Sequence, residues 1–306
     1  MPLSSPADLL ADLSIQLEPD ADLGPRTWYG IGGRAEVLAH PDSPETLAEL
    51  VRRCRESDVP MRILGSGANL LVVDRVPGVV VTLDAPAFRA VVYEDDHAVV
   101  AGAGVDLMKL VLETARKGLS GLEHCAGIPA TVGGAVRMNC GGAFGDIASA
   151  VRSVRVVTGE GELIERTKDE LGFGYRRSDL ADQIVVDVHF ALTPDEPHDL
   201  MRRVKEIFFY KKNSQPMADR SAGCAFKNPA PDPETDVVRS AGKLIDDAGL
   251  KNHRVGGAWV SERHANFVVA DESAAPRDIL RVIEDVERTV EEVHNIRLER
   301  EVVVWP

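Results

Sequence analysis

Gly127-Ile128-Pro129-Ala130-Thr131-Val132-Gly133-Gly134-Ala135, followed closely by Met138-Asn139-Cys140-Gly141-Gly142, is the stretch on which the fold turns. So much glycine costs conformational entropy on folding, about 0.5–1 kcal/mol per residue relative to alanine. A chain that keeps it usually wraps its backbone closely around something. Glycine tolerates close approach and positive φ, and successive backbone N–H groups can then cradle an anionic group such as a pyrophosphate. A shorter cluster, Gly65-Ser66-Gly67-Ala68-Asn69, lies between the apolar runs 61–64 and 70–73 and reads as strand, glycine loop, strand. Taken alone, this second cluster fits a tight turn between strands equally well. Neither cluster is a dinucleotide fingerprint: Leu70 stands where a third glycine is needed, and a strand-like run follows where a helix should begin. A Walker A motif is absent too.

Around these clusters the apolar spacing alternates between strand and helix. Ser43-Pro44 is an N-cap and N1 pair, after which Leu47, Leu50, Val51 and Cys54 form one helical stripe. Runs at 79–81 and 98–100 read as strands. Leu107, Leu110 and Val111 give a helix that Gly118 is placed to end. Strands are expected at 151–157, 162–165 and 184–192. Pro194 and Pro197 mark a boundary, beyond which the pattern turns helical. Leu200, Val204 and Ile207-Phe208 predict one helix; Val238, Ala241, Leu244-Ile245 and Ala248 predict another, stopped by Gly249. A long stripe through Ile279, Ile283, Val286, Val290 and Val293 predicts a third. Strands are expected at 254–260 and 267–270, and the sequence closes on one at 301–305. The class is mixed, a β-rich first part and a helix-plus-sheet second part.

The 306 residues carry 35 Lys and Arg against 49 Asp and Glu, a net charge of −14. Length allows two or three domains, and 44% hydrophobic content is that of a globular protein. So acidic a chain argues against nucleic acid and anionic lipid as partners. No apolar run approaches the roughly 18 residues that suggest a membrane span. The opening MPLSSPADLLADLSIQL lacks a basic segment followed by an apolar core, so no secretory signal is expected. Cys54, Cys125, Cys140 and Cys224 are scattered with no CxxC pair. That pattern fits a reducing cytoplasm and small buried thiols, with no disulfide scaffold and no metal site.

Nine short motifs, in order along nearly the whole chain, resemble a known family. They are Thr27-Trp28-Tyr29-Gly30-Ile31-Gly32-Gly33; Leu64-Gly65-Ser66-Gly67-Ala68-Asn69-Leu70-Leu71; the long glycine stretch quoted above; and Phe173-Gly174-Tyr175-Arg176-Arg177-Ser178. Next come Lys211-Lys212-Asn213-Ser214-Gln215-Pro216 and Gly223-Cys224-Ala225-Phe226-Lys227-Asn228-Pro229. Ala241-Gly242-Lys243-Leu244-Ile245-Asp246, Val260-Ser261-Glu262-Arg263-His264-Ala265-Asn266-Phe267 and Leu298-Glu299-Arg300-Glu301-Val302 complete the set. The chain resembles the flavoprotein UDP-N-acetylenolpyruvoylglucosamine reductases of peptidoglycan synthesis. Arg176 and Cys224 stand only 48 positions apart, which resembles the class lacking an extra substrate-covering loop.

The resemblance implies an α+β protein. A two-part FAD-binding region of the PCMH/vanillyl-alcohol-oxidase type would occupy residues 20–196. An α/β substrate-binding domain would occupy 197–306, its last strand returning to the flavin site. It implies noncovalent FAD, with NADPH as hydride donor and a UDP-sugar enolpyruvyl ether as substrate, in cytoplasmic cell-wall synthesis that supports cell shape and division. The residues matched to flavin binding are Gly65, Ser66, Gly67, Ala68 and Asn69, with Gly127, Ile128, Pro129, Thr131, Gly133, Gly134 and Asn139. Those matched to substrate are Tyr175, Gln215, Lys227 and Asn228. Arg176 matches the electrophilic stabiliser, a planar guanidinium suited to a carboxylate. Glu301 matches a C-terminal glutamate that orients or protonates the developing enolate; Glu299 is its nearest competitor. Cys224 is a departure, standing where the best-known members have a proton-donating serine. A thiol, which ordinarily titrates near pH ~8.5, is a far better acid than an alcohol. Two readings of it stand: proton donor, or small buried thiol with another group or water delivering the proton. Lys211-Lys212, read from its residues alone, is a solvated helix end. A different flavin oxidase of the same fold would explain the glycine clusters but not residues 226–229 or Glu301, and no histidine lies in the first glycine loop for covalent flavin attachment. A flavin- or nucleotide-binding module without catalysis rests on Cys224 alone.

Overall fold

The structure, a computed structural model, describes residues 5–13, 15–94, 97–231 and 239–306. Among the described residues no helix is long and apolar enough to cross a membrane. The chain forms two compact, discontinuous units: residues 1–21, 35–66 and 77–209, and residues 22–34, 67–76 and 210–306.

Among the described residues, the first unit holds two large sheets and two short two-stranded ones. One large sheet has four strands in the order Gln16–Asp22, Arg34–His40, Val76–Thr82, Met61–Leu64, the last two parallel with Leu64 opposite Thr82. The other has five, in the order Leu163–Thr167, Val151–Val157, Ile184–Ala191, Ala98–Gly102, Val91–Tyr93, and is antiparallel throughout. Two amphipathic helices supply much of the remaining core. Pro44–Glu56 is capped by the Ser43 side chain, which accepts from the Thr46 N–H, and buries Leu47, Leu50, Val51 and Cys54 as the spacing predicts. Leu107–Arg116 buries Leu107, Leu110 and Val111 and ends before Gly118, whose φ is +74°. The glycine stretch contains an element that its composition conceals, the helix Val132–Arg137. Two adjacent glycines are poor helix formers. Here close packing makes one of them necessary, since a Cβ on Gly133 would sit 2.8 Å from that of Ala103.

The second unit is built on the antiparallel sheet Arg220–Cys224, Phe267–Ala270, Ala258–Val260, Arg254–Val255. The expected single strand at 254–260 is a hairpin, because Gly256 takes φ +53° in a two-residue turn. Helix Pro276–His294 lays Ile279, Val282, Ile283, Val286 and Val290 into the core over this sheet. Helix Ala241–Asp247 follows the predicted stripe and stops before Gly249 at φ +71°; Val238, part of that stripe, lies outside the described residues. The closing strand, Val303–Trp305, pairs in parallel with Leu70–Val72.

Segment 22–34 belongs to this unit as well. Its Tyr29 is buried, and its hydroxyl donates to the Val268 carbonyl at 3.2 Å; burial pushes the phenol pKa well above its ordinary value. Tyr29→Phe leaves that buried carbonyl without this donor. It should lower the unfolding free energy by about 1–2 kcal/mol, read from the urea midpoint at unchanged slope.

Candidate functional site

In the first unit the two glycine clusters meet. The Ser66 hydroxyl donates to the Pro129 carbonyl at 2.9 Å, and a Cβ on Gly65 would lie 2.9 Å from Thr131 Oγ1, so a side chain there would displace the Thr131 hydroxyl. Thr131 caps Val132–Arg137 by accepting from the Gly134 N–H. Gly127 has φ +76°, and Ile128 and Pro129 are half-buried beside it. Among the described residues no partner is found for the backbone N–H groups of Gly65, Ser66, Gly67 or Ala68. A run of unpaired N–H groups on a glycine turn fits the phosphates of a dinucleotide such as FAD.

Asn139 is buried at φ +41°; its Nδ2 donates to the Gly174 carbonyl at 2.9 Å and its Oδ1 accepts from the Ala148 N–H at 3.2 Å. Gly174 in turn exchanges both backbone hydrogen bonds with Arg177, closing a tight turn with Tyr175 and Arg176 at its tip. Tyr175 is exposed. Arg176 takes φ +53°, a left-handed conformation costing a non-glycine residue about 1–2 kcal/mol, and its guanidinium donates to the Gly141 carbonyl at 2.7 Å. Strain of this kind persists where surrounding structure enforces it, and function is one reason to keep it. The guanidinium also lies 5.3 Å from the Tyr175 ring centre. Sequence reading missed a clamp on the same loop: Arg137 donates to the carbonyls of Leu180 and Ala181, while the Ser178 hydroxyl donates to the carbonyl of Arg137.

The second unit brings the remaining residues together. Gly67 takes φ +66°, and a Cβ there would lie 2.2 Å from the Arg26 carbonyl oxygen. The Ala68 carbonyl oxygen is 3.9 Å from where a Cβ of Gly223 would be. Gly223, at φ +73°, forms a register shift in strand Arg220–Cys224 just before Cys224, which is half-buried. Residues 224–227 then run beside 299–302. The Glu301 N–H donates to the Ala225 carbonyl at 2.8 Å, Phe226 bridges Arg300, and the Lys227 N–H donates to the Glu299 carbonyl at 2.9 Å. Cys224 and Glu301 are therefore fixed by adjoining backbone. Asn69 Nδ2 donates to the Glu301 carbonyl at 3.0 Å, so the first glycine loop helps to hold the C-terminal glutamate.

Charge is arranged around these segments. Lys227 Nζ meets the Glu299 carboxylate at 2.5 Å. Glu299, the competitor to Glu301, is thus a partner of the lysine matched to substrate. Asn228 Oδ1 accepts from the Ala241 N–H at 3.0 Å and ties the segment to the start of Ala241–Asp247. Gln215 follows helix Pro197–Ser214, and Arg263 donates to the carbonyls of Lys212 and Gln215 there. The solvated reading of Lys211-Lys212 holds for Lys212 alone, since Lys211 is buried. The reason is helical phase: Lys211 continues the face of Leu200, Val204 and Ile207.

Residues 35–167 match the model of an FAD binding domain, and residues 215–305 match that of the UDP-N-acetylenolpyruvoylglucosamine reductase C-terminal domain. The UDP-N-acetylenolpyruvoylglucosamine reductase of Lachnoclostridium phytofermentans is 36% identical over 285 residues, 92% of this chain and 90% of that one. The protein of the same name from Heliobacterium modesticaldum is 40% identical over 294 residues, 95% of this chain and 90% of that one. The crystal structure of UDP-N-acetylenolpyruvylglucosamine reductase from Thermus caldophilus superposes with a TM-score of 0.78 at 40% identity, covering 95% of this chain and 99% of that one. The fold is accordingly α+β, with an FAD binding domain and the C-terminal domain of these reductases. Two matched domains in order, and identity sustained along nearly the full length, make this chain a member of the UDP-N-acetylenolpyruvoylglucosamine reductase family.

Proposed function

We propose that the chain catalyses the NADPH-dependent, FAD-mediated reduction of UDP-N-acetylglucosamine enolpyruvate to UDP-N-acetylmuramate, in the cytoplasmic synthesis of peptidoglycan precursors. The observation that carries this reading is the family likeness over more than nine-tenths of the chain. It is supported by the backbone pairing that fixes Cys224 beside the segment bearing Glu301. The enzyme is a flavin-dependent oxidoreductase. When bound, FAD supplies a two-electron carrier between NADPH and the vinyl carbon of the substrate.

The chain's own residues bind, polarise and protonate. Residues 20–196 form the flavin-binding region and 197–306 the substrate-binding domain. The turn Gly65-Ser66-Gly67-Ala68-Asn69 offers its unpartnered N–H groups to the cofactor phosphates. Gly127, Ile128, Pro129, Thr131, Gly133, Gly134 and Asn139 shape the adjoining wall. Hydride addition to the vinyl carbon leaves negative charge on the ether-bearing carbon and its carboxylate. The Arg176 guanidinium stabilises that charge with a rigid fork of donors. Cys224 gives its thiol proton to the ether-bearing carbon and is reprotonated by solvent, and Glu301 orients the developing enolate. Tyr175, Gln215, Lys227 and Asn228 hold the substrate. The net reaction consumes NADPH and one proton and saturates one carbon–carbon double bond.

An overall charge of −14 does not oppose an anionic substrate, because charges beyond about 8 Å are largely screened at physiological salt. Acid precipitation should leave yellow FAD in the supernatant, as noncovalent binding requires. NADPH oxidation should then depend on the enolpyruvyl UDP-sugar. Colour retained in the pellet would overturn the noncovalent assignment, and oxidation at one rate with or without the sugar would overturn the reductase assignment.

A further inference from the structure

One side chain of the second unit ties two strand-like segments together, and a third segment pairs with the far side of one of them. Asn266 is buried. Its Oδ1 accepts from the Phe226 N–H at 3.0 Å, and its Nδ2 donates to the Phe226 carbonyl at 2.8 Å. Its own backbone carbonyl accepts from the Ala225 N–H at 2.8 Å. The amide therefore supplies the pair of bonds that a neighbouring strand would give Phe226. This is needed because Cys224, two residues earlier, is opposite Phe267 across a register shift and the ladder runs out there. On their far side the same residues carry the C-terminal tail, the Ala225 carbonyl receiving the N–H groups of Glu301 and Val302. Displacing Phe226 would move the backbone on which Cys224 and Glu301 both depend. His264 Nδ1 accepts from the Asn266 N–H at 3.2 Å, and burial lowers the pKa of His264, favouring the neutral ring that this bond requires.

We infer that Asn266 is a positioning residue for proton delivery, acting through Phe226 and Ala225 to set Cys224 against Glu301. The inference rests on the reductase reading above. Proton delivery belongs to substrate reduction and not to flavin reduction, so the two half-reactions separate a positioning role from a general structural one. The carboxyl group introduced by Asn266→Asp presents one acceptor and one donor when protonated, as the amide does; ionised, it presents acceptors only.

Asn266→Ala and Asn266→Asp, each loaded with FAD, are mixed anaerobically with NADPH, and the reduced enzymes with the enolpyruvyl UDP-sugar. Wild-type enzyme run alongside tests the reductase reading itself. For Asn266→Ala, flavin reduction is expected at the wild-type rate and reoxidation by substrate slower by about ten- to a hundredfold, the scale of a misplacement near 1 Å. For Asn266→Asp, reoxidation is expected to recover relative to wild type as pH falls and the carboxyl protonates, with FAD affinity unchanged. Equal loss in both half-reactions, or no loss in reoxidation, would overturn the inference. A wild-type enzyme not reoxidised by the sugar would instead overturn the reading on which it rests.

Discussion

Replacing Arg176 with lysine is expected to slow reoxidation of the reduced flavin by substrate about 10²–10³-fold, the usual cost of one lost charge-stabilising donor. Flavin content and reduction by NADPH should be unaffected. Lysine keeps the charge but loses the planar fork, so failure of this conservative change would identify geometry as the cause. The turn permits a sharper control. Arg176→Gly removes a left-handed penalty of about 1–2 kcal/mol and gives up, among its contacts, the bond to the Gly141 carbonyl worth about 1 kcal/mol and the stacking on the exposed Tyr175 ring. Folding stability should therefore change little while substrate reduction is lost. A glycine variant that keeps wild-type reoxidation kinetics would remove Arg176 from the chemistry.

Cys224 is the second test. Deleting a general acid typically costs about 10²–10⁴-fold. Cys224→Ala should lose that much in reoxidation by substrate and nothing in reduction by NADPH. Cys224→Ser should keep most of the rate, because the hydroxyl occupies the same half-buried place and still carries a transferable proton. Near-normal reoxidation in both variants would sink the donor role and leave the thiol as packing. The two cysteine outcomes do not bear on Arg176, so each assignment fails or survives alone.

Much of the fold is legible in local spacing, and the exceptions have physical causes. Ser43-Pro44 and the stripe behind it specify Pro44–Glu56, and the stripe from Ile279 specifies Pro276–His294. Strand Gln16–Asp22 escapes such reading because its residues are mostly polar and mostly exposed, so no alternation marks it. Helix Val132–Arg137 is masked by two glycines, one of which is present for contact with Ala103. The parallel pairing of Val303–Trp305 with Leu70–Val72 joins segments far apart in the sequence and leaves no local trace.

The candidate site divides the same way. Glycine density announces the turn at Gly65 and Thr131, where a Cβ would press on the Thr131 hydroxyl. The roles of asparagines are less visible, since an amide reads alike whether it meets a ligand or braces a backbone. Asn69 braces Glu301, Asn139 braces the Arg176 turn and Asn266 braces Phe226. Phase decides Lys211: a cation near a helix end looks solvated until its place on the buried face is counted.

Anaerobic two-step mixing of the FAD-loaded enzyme follows both half-reactions on one flavin. NADPH should bleach the flavin. The enolpyruvyl UDP-sugar should then restore its colour, with one lactyl ether formed per flavin reoxidised. A flavin that NADPH reduces but that this sugar leaves bleached would contradict the account.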